Sequence, residues 1–385
     1  MDTMIKRSWT EINIAQLKQN YIECKKYLSD SEQIMAIIKA DAYGHGSIQV
    51  GKALSDLGVK LFGVANLQEA IELRDAGISG DILILGYTSC DYSKLLIDYD
   101  LTQTLVSEEH AKSFEDAGYR IKCQFAIDTG MNRIGLDADD PDTCVSIIRY
   151  YKDVFQLTGI FSHLCVADSL SDIDKSFTCR QINLFNDIVH KVTDLNLQYT
   201  HILNSAGFIG KFYTNTIHSP HICNVIRLGI ILYGVSPSSS IPLPSPMLPI
   251  LSWKAEVSMI KDLHVGESIG YGRTYYADKD MKVATITVGY ADGYNRLLSN
   301  KGYVIVNGQK ARILGNICMD QSIIDVSGIN NISMGSEIML LTSGENRMYN
   351  VEKMASDSVT IPYEVLCGIS KRVIKVYNNS DEKNQ

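Results

Sequence analysis

Short apolar runs alternate with amphipathic segments over roughly the first 230 residues of the chain. Eight runs have the length and character of buried strands: Ile34–Lys39, Leu61–Ala65, Asp81–Gly86, Gln103–Val106, Cys123–Asp128, Leu157–His163, Thr200–Asn204 and Ile226–Leu232. The amphipathic segments predict helices at Ile48–Leu57, Leu67–Ala76, Glu108–Ala117, Thr143–Lys152 and Arg180–Leu195. Eight units of strand followed by helix predict an α/β fold, a (β/α)8 barrel of the TIM type. A doubly wound dinucleotide fold is disfavoured because this half contains no G-x-G-x-x-G motif.

A proline-rich segment, Ser236–Pro249, interrupts this pattern. It holds five of the eight prolines of the chain, and proline is unsuited to a helix interior or a central strand. We therefore expect a barrel domain over residues 1–240 and a mainly β domain over residues 241–385. The second half predicts strands at Val283–Val288, Tyr303–Val306 and Ile338–Leu341, a hairpin turn at Asn307-Gly308, and a helix near Val351–Ser358.

Composition narrows the choice of partners. The chain has 36 Lys and Arg against 44 Asp and Glu, a net charge of −8, so neither nucleic acid nor an anionic membrane is an expected partner. Nine cysteines, an odd number without a C-x-x-C pair, indicate reduced thiols in the cytoplasm. No metal site is expected. No apolar run approaches the ~18 residues of a membrane span, and the polar opening of the sequence is not expected to be a signal peptide.

Lys39 stands where the first predicted barrel strand ends. The carboxyl ends of barrel strands carry the active site, and a partly desolvated lysine can form a Schiff base with a carbonyl compound. A lysine that merely reaches solvent from a strand end is the alternative interpretation. The following turn, Tyr43–Gly46, contains two glycines that allow close approach of backbone to a ligand.

Three further polar residues, His163, Ser205 and Arg227, lie on or beside later predicted strands. Phosphate sites in these barrels favour the loops after strands seven and eight, where Ser205 and Gly229 would supply a hydroxyl and backbone donors. Each residue alone is more often structural. Together with Lys39 they indicate a phosphate-bearing carbonyl cofactor, for which pyridoxal 5'-phosphate is the obvious candidate.

Several ordered motifs carry a family resemblance. They are AIIKADAYGHG (Ala36–Gly46), DTGMNRIG (Asp128–Gly135), Ser162-His163, NSAG (Asn204–Gly207), RLGIILYG (Arg227–Gly234), GYGRTY (Gly270–Tyr275), GYADGY (Gly289–Tyr294), CMDQ (Cys318–Gln321) and PYEVLC (Pro362–Cys367). On these motifs the chain resembles the alanine racemases, pyridoxal-phosphate isomerases with an N-terminal barrel and a C-terminal β domain. The resemblance implies interconversion of L- and D-alanine, which supplies D-alanine for peptidoglycan.

The resemblance also implies roles for individual residues. Lys39 would hold the cofactor as a Schiff base and act as one catalytic base, and Tyr271 would be the other, entering from the second subunit of a homodimer with shared active sites. Residues implied around the cofactor are Tyr43, Ser205, Gly229, Ile230 and Tyr363 at the phosphate, Arg227 at the ring nitrogen, and His163 and Asn204 beside them. The substrate side would be formed by Arg133, the Met319 backbone N–H and Tyr290 at the opening.

Two positions depart from the family pattern. The family often has a carbamylated lysine where this chain has Ala126, and commonly an arginine where it has Asn316. Both lie on the expected carboxylate side of the site, so a preference for serine or a broader set of amino acids is the main alternative, although the retained Tyr363 favours alanine.

Two more distant alternatives are a non-catalytic pyridoxal-phosphate carrier and an amino-acid decarboxylase. A carrier of this kind has one domain and no need of Tyr271 or a β domain, and the decarboxylase would be expected to have a glycine-rich phosphate loop that this sequence lacks.

Overall fold

A computed structural model describes residues 7–212, 217, 223–244 and 246–379. The first part contains, in order, β1 (Ser8–Asn13), α1 (Ile14–Lys25), β2 (Gln33–Ile37), α2 (Lys39–Tyr43), α3 (Ser47–Ser55), β3 (Leu61–Val64), α4 (Leu67–Asp75), β4 (Asp81–Ile84), α5 (Ser93–Asp98), β5 (Thr102–Leu105), α6 (Glu108–Asp116), β6 (Lys122–Asp128), β7 (Leu136–Asp137), α7 (Pro141–Val154), β8 (Gln156–Phe161), α8 (Asp172–Lys191), β9 (Tyr199–His201), α9 (Ser205–Phe212) and β10 (Val225–Leu228). The second part contains β11 (Leu251–Leu263), β12 (Ser268–Ile269), β13 (Tyr275–Tyr276), β14 (Met281–Ile286), β15 (Tyr303–Val306), β16 (Gln309–Arg312), β17 (Ser322–Asp325), β18 (Glu337–Leu341), α10 (Val351–Asp357), α11 (Pro362–Cys367) and β19 (Ile374–Asn378).

Eight parallel strands of the described chain form a nearly closed barrel, in the order β10-β2-β3-β4-β5-β6-β8-β9. Between the two ends of this order, the Arg227 amide of β10 donates to the carbonyl of Leu203, just after β9, at 3.0 Å. Strands β3 and β5 are buried at every position, as expected for parallel strands covered by helices. All eight predicted barrel strands are present, and the predicted architecture of a barrel followed by a mainly β part is confirmed.

Most of the predicted barrel strands end earlier than expected, and two of them lead directly into a turn. Strand β2 stops at Ile37, and Lys39 begins a separate turn, α2. Strand β10 stops at Leu228 and is followed by a 3-10 helix at Ile230–Tyr233. The apolar runs continue past these strands because Ile38 and the whole 3-10 helix are buried although they are not strand residues.

The second sheet has the order β16-β15-β18-β11-β1-β19, with β14 and β17 attached through β11. Strand β1 comes from the start of the chain and was not predicted. It pairs antiparallel with β11 and parallel with β19, so the first described strand belongs to the sheet of the second half. The described residues of the proline-rich segment form neither helix nor strand. Ser245 of this segment lies outside the described residues. Within the described ranges no helix combines the length and apolar character needed to cross a membrane.

Candidate active site

A cavity of about 740 Å³ opens at the carboxyl ends of the barrel strands. Its wall includes ten of the predicted site residues: Lys39, Tyr43, Arg133, His163, Asn204, Ser205, Arg227, Gly229, Ile230 and Tyr363. These residues come from separate strand ends and from α11, so the fold brings together what the sequence spreads over more than half of its length.

Lys39 is half-buried at the rim of β2. Burial lowers the pKa of its ammonium from the ordinary lysine value, and the nearby Arg133 and Arg227 lower it further, while Glu69 opposes them. Its Nζ makes no hydrogen bond or ion pair with any described residue. The amine is therefore available to react with a carbonyl group in the cavity.

The backbone after Lys39 adopts an uncommon conformation. Four consecutive non-glycine residues, Ala40–Tyr43, have φ between 51° and 53°, in the left-handed region. This conformation costs roughly 1–2 kcal/mol for each L-residue, so the surrounding structure must hold it in place. The turn places Tyr43 against the rings of Tyr233 and Tyr363, at 5.3 and 5.8 Å between centroids.

Arg227 is buried and anchored by neutral acceptors. Its Nη1 donates to His201 Nδ1 at 2.5 Å, and its Nη2 donates to the Ser162 carbonyl at 2.6 Å and to His163 Nδ1 at 3.1 Å. No carboxylate pairs with the guanidinium among the described residues, and its Nε donates no hydrogen bond there. Burial lowers the pKa of Arg227 to about 9, which still leaves it a cation at neutral pH.

His201 is a site residue that sequence reasoning missed. It lies at the end of β9, stacks on Phe161 at 5.0 Å, and its Nε2 contacts Gln124 Oε1 at 2.8 Å. Since Arg227 donates to Nδ1, the proton of His201 resides on Nε2. Burial and the cationic Arg227 hold its pKa well below the ordinary histidine value, so the ring is a neutral acceptor. His201 belongs to none of the quoted motifs, and its only signal was a polar residue inside a buried strand.

The opposite wall carries hydroxyl and amide groups. Ser205 begins α9, and its Oγ accepts a hydrogen bond from the Gly229 amide at 3.0 Å. A Cβ at Gly229 would lie 2.6 Å from the Tyr43 hydroxyl, so a larger residue there would displace the Tyr43 ring. The Tyr43 and Tyr363 hydroxyls donate to no described residue, and burial raises the pKa of both phenols, which keeps them protonated donors. Such a set of donors is suited to a phosphate group.

Three predicted residues do not line the cavity of their own chain. Tyr271, Tyr290 and Met319 lie in the second half, with 74, 43 and 54% of their surfaces exposed. The Tyr290 amide donates to the Cys318 carbonyl at 3.0 Å, which holds two of these turns together. The amide of Met319 donates to no described residue and is free to bind an acceptor.

The two positions that depart from the family pattern, Ala126 and Asn316, lie in different parts of the structure. Ala126 is buried near the end of β6 and shares a small cavity of about 20 Å³ with Arg133 and His163. Arg133 is exposed and has no acidic partner among the described residues. Asn316 lies elsewhere, beside the turn of Tyr271, and donates to its carbonyl at 2.8 Å.

Comparison with known proteins decides the family. The family profile described as "Alanine racemase, N-terminal domain" matches residues 12–237, and the profile "Alanine racemase, C-terminal domain" matches residues 250–377. The chain belongs to the alanine racemase family. The predicted family is therefore confirmed, and the chain is an isomerase of this family.

Individual alanine racemases match over nearly the whole chain. The alanine racemase of Halothermothrix orenii is 36% identical over 97% of both chains. The solved alanine racemase of Clostridium difficile 630 has a TM-score of 0.88 at 33% identity and covers 99% of this chain and 98% of that one. The alanine racemase of Bartonella henselae, solved with covalently bound pyridoxal phosphate, has a TM-score of 0.83 at 25% identity over 97% of this chain and 99% of that one.

Proposed function

We propose that this alanine racemase family member interconverts L- and D-alanine with pyridoxal 5'-phosphate, by two bases on opposite faces of the substrate, and supplies D-alanine for peptidoglycan. The observation that carries the proposal is the unpaired Lys39 amine in a cavity that also holds Arg227, a buried cation without a carboxylate partner. A carbonyl group would react with the Lys39 amine, and a ring nitrogen would accept the hydrogen bond that Arg227 Nε is free to donate.

The residues of the cavity fit this cofactor. The free hydroxyls of Tyr43 and Tyr363, with Ser205, Gly229 and Ile230, would hold its phosphate, and Arg227 Nε would face the ring nitrogen with His163 and Asn204 beside it. When bound, the cofactor withdraws electrons from the substrate Cα and so makes the Cα–H bond acidic. Because Arg227 is a poor proton donor, it would bind the ring nitrogen without protonating it.

Proton transfer would use one base from each of two subunits. Lys39 Nζ would remove or return the Cα proton on one face, and the Tyr271 hydroxyl of a second copy would do so on the other. The exposure of Tyr271, and its absence from the cavity of its own chain, support a homodimer with shared sites. Arg133 and the free Met319 amide of the second copy would bind the substrate carboxylate, and Tyr290 would narrow the opening.

Mixing two inactive variants tests this arrangement. Lys39→Ala and Tyr271→Phe each remove one base, so each homodimer should fail to racemise alanine. In a mixed dimer, the Lys39 of one chain would meet the Tyr271 of the other, and one of the two sites would be intact. Co-expression of the two variants under separate tags should restore activity to about a quarter of the wild-type rate, as expected for random pairing of symmetric dimers.

The alternative arrangement gives a different result. If both bases came from one chain, every chain in the mixture would lack one of them, and no activity would return. Each variant co-expressed with itself is the control for residual activity. Borohydride reduction followed by peptide mass spectrometry should find the cofactor attached to Lys39 in Tyr271→Phe and at no residue in Lys39→Ala.

Serine is the second candidate substrate. The observation that favours it is the environment of Arg133. With alanine at position 126 and no acidic partner, Arg133 is held less firmly on the carboxylate side. Racemisation of L-alanine and L-serine should be measured side by side with added cofactor. Faster turnover of alanine supports the proposal, and equal or faster turnover of serine replaces it with a serine or broad-specificity racemase.

We also propose a cytoplasmic location. Its support is that the nine cysteines stand as free thiols, as in proteins of a reducing compartment.

A further inference from the structure

Glu69 bridges two neighbouring strand ends of the barrel beside Lys39. Its Oε1 accepts a hydrogen bond from the Ala40 amide at 2.8 Å, and its Oε2 accepts one from the Ala65 amide at 2.7 Å. Ala40 follows Lys39 directly, and Ala65 follows β3 and lines the cavity. One carboxylate therefore joins the residue after the reactive lysine to the adjacent barrel strand.

Both amides depend on this carboxylate. Neither Ala40 N–H nor Ala65 N–H has a backbone acceptor among the described residues, so Glu69 supplies the acceptor for each. Glu69 is itself fixed, because its own amide donates to the side chain of Asn66, the N-cap of α4. The bridge thus rests on the rigid start of a helix rather than on a mobile loop.

The bridge acts on the first residue of the left-handed turn. Ala40 has φ 51° and ψ 50°, a conformation that an L-residue keeps only under external restraint. Farther along the turn, Asp41 Oδ1 accepts from the Ser47 amide at 2.8 Å, and Lys375 pairs with Asp41 Oδ2 at 2.9 Å. Those contacts restrain the end of the turn, whereas Glu69 restrains the peptide that sets the direction of the Lys39 side chain.

We propose that Glu69 is a positioning residue, which holds Lys39 in the orientation needed to react with the cofactor by binding the amides of Ala40 and Ala65. This inference rests on the proposed function, in which Lys39 carries pyridoxal phosphate. Glu69 forms no ion pair with Lys39, so it acts through the backbone and through its charge rather than by contact with the reacting amine.

The test measures cofactor attachment rather than racemisation. Full-length protein is stripped of cofactor with hydroxylamine and reloaded with pyridoxal phosphate. Borohydride stops the reaction at set times, and mass spectrometry quantifies the label on Lys39 as a function of pH. The variant is Glu69→Gln, whose amide accepts from one N–H but presents N–H groups to the other. The matched control is Glu72→Gln on the exposed face of the same helix, where the Glu72 carboxylate accepts a hydrogen bond from Gln68 and has no other hydrogen-bonding partner among the described residues.

Two changes are expected together in Glu69→Gln. The rate at high pH, where Lys39 is neutral, should fall roughly ten- to hundredfold, as for loss of a hydrogen bond to a charged acceptor. The midpoint of the pH profile should move to lower pH, because the carboxylate that raises the Lys39 pKa is gone. Glu72→Gln should match the wild type. A purely structural role would lower the unfolding temperature and leave the high-pH rate unchanged.

Several outcomes would overturn the inference. They are an unchanged high-pH rate in Glu69→Gln, an equal loss in Glu72→Gln, or rapid hydrogen exchange of the Ala40 and Ala65 amides in the wild type. If Glu69→Gln does not fold, Glu69→Asp, whose shorter carboxylate reaches at most one amide, carries the same expectation. Failure of the wild type to take label at Lys39 would instead overturn the proposed function.

Discussion

The side-chain amide of Asn316 donates a hydrogen bond to the backbone carbonyl of Tyr271 at 2.8 Å. This bond spans the turn that presents Tyr271, in which Gly270, Gly272 and Arg273 all have φ between 52° and 72°. Two of these three residues are glycines, which leave the backbone many conformations, so the hydrogen bond from Asn316 fixes the peptide of the residue that would act as a base. The position where the family commonly has arginine is therefore used here to hold the backbone.

Asn316→Ala should slow racemisation about fivefold, since a neutral hydrogen bond contributes about 1 kcal/mol. Because Asn316 holds Tyr271 and not Lys39, only the proton transfer at Tyr271 should become slower. NMR in deuterium oxide can follow exchange of the Cα proton of each alanine enantiomer. We expect one enantiomer to keep exchanging without inversion while conversion to the other slows.

Asn346→Ala is the control for Asn316→Ala, since Asn346 is an exposed residue of the same half that accepts from the Met348 amide at 3.1 Å. It should leave both exchange reactions unchanged. Equal slowing of exchange for both enantiomers in Asn316→Ala would exclude a role specific to Tyr271.

His201→Leu should lower the free energy of unfolding by roughly 1–3 kcal/mol, because Arg227 Nη1 loses an acceptor while remaining buried. His201→Gln offers an amide oxygen at a similar distance and should lose less. Urea titration of the cofactor-free protein measures both. Equal stability of the two variants would mean that the imidazole is not a needed partner of Arg227.

The barrel could be predicted because its strands are continuous apolar runs that differ clearly from the segments between them. Lys39, His163, Ser205 and Arg227 could be predicted because barrel strands direct their carboxyl ends to one rim, whereas other residues of the cavity, such as Arg133 and Tyr363, were expected only from the family resemblance. By contrast, β1 could not be predicted locally. Its partners are β11 and β19, more than 200 residues away, so its pairing depends on the completed fold.

Two features of the site also escape sequence patterns. The segment Ala40–Tyr43 contains no glycine, so nothing local indicates four left-handed residues in succession. Their conformation is maintained by Glu69 and Lys375, which come from different parts of the chain. His201 similarly acquires its role only when β9 lies beside β10 and Arg227 reaches its ring.

Arg133→Gln should shift the reactivity of Lys39 to higher pH. Burial is the main cause of the lowered Lys39 pKa, and the charge of Arg133 is the next, so removing that charge raises the pKa toward the ordinary lysine value. At neutral pH a smaller fraction of the amine is then unprotonated, and labelling of Lys39 by pyridoxal phosphate and borohydride slows. Arg120→Gln, at an exposed position, should leave the profile in place; a shift of the same size there would point to a general charge effect.

Acid should destabilise the protein partly through His45. This ring lies just after the left-handed turn and is fully buried, stacked on Tyr233 at 4.5 Å, with Nδ1 2.9 Å from the Ala42 carbonyl. Burial lowers its pKa to about 4 in the folded state, whereas an unfolded histidine titrates near ~6.5. Between those values the unfolded chain binds a proton that the folded chain excludes, so stability falls as the pH falls through this window and levels off below it.

The contribution of His45 should be on the order of 3 kcal/mol between pH 7.5 and pH 4. His45→Asn keeps a donor for the Ala42 carbonyl but cannot titrate, so its unfolding free energy should depend less steeply on pH than that of the wild type. His190→Asn, at an exposed histidine, is the matched control, and His45→Asn should flatten the slope more than this control does. Urea unfolding at several pH values gives the slopes, and the slope rather than the absolute stability decides, since either substitution can also change packing. Parallel slopes for His45→Asn and the wild type would mean that His45 is protonated in the fold, and that the left-handed turn tolerates a buried charge.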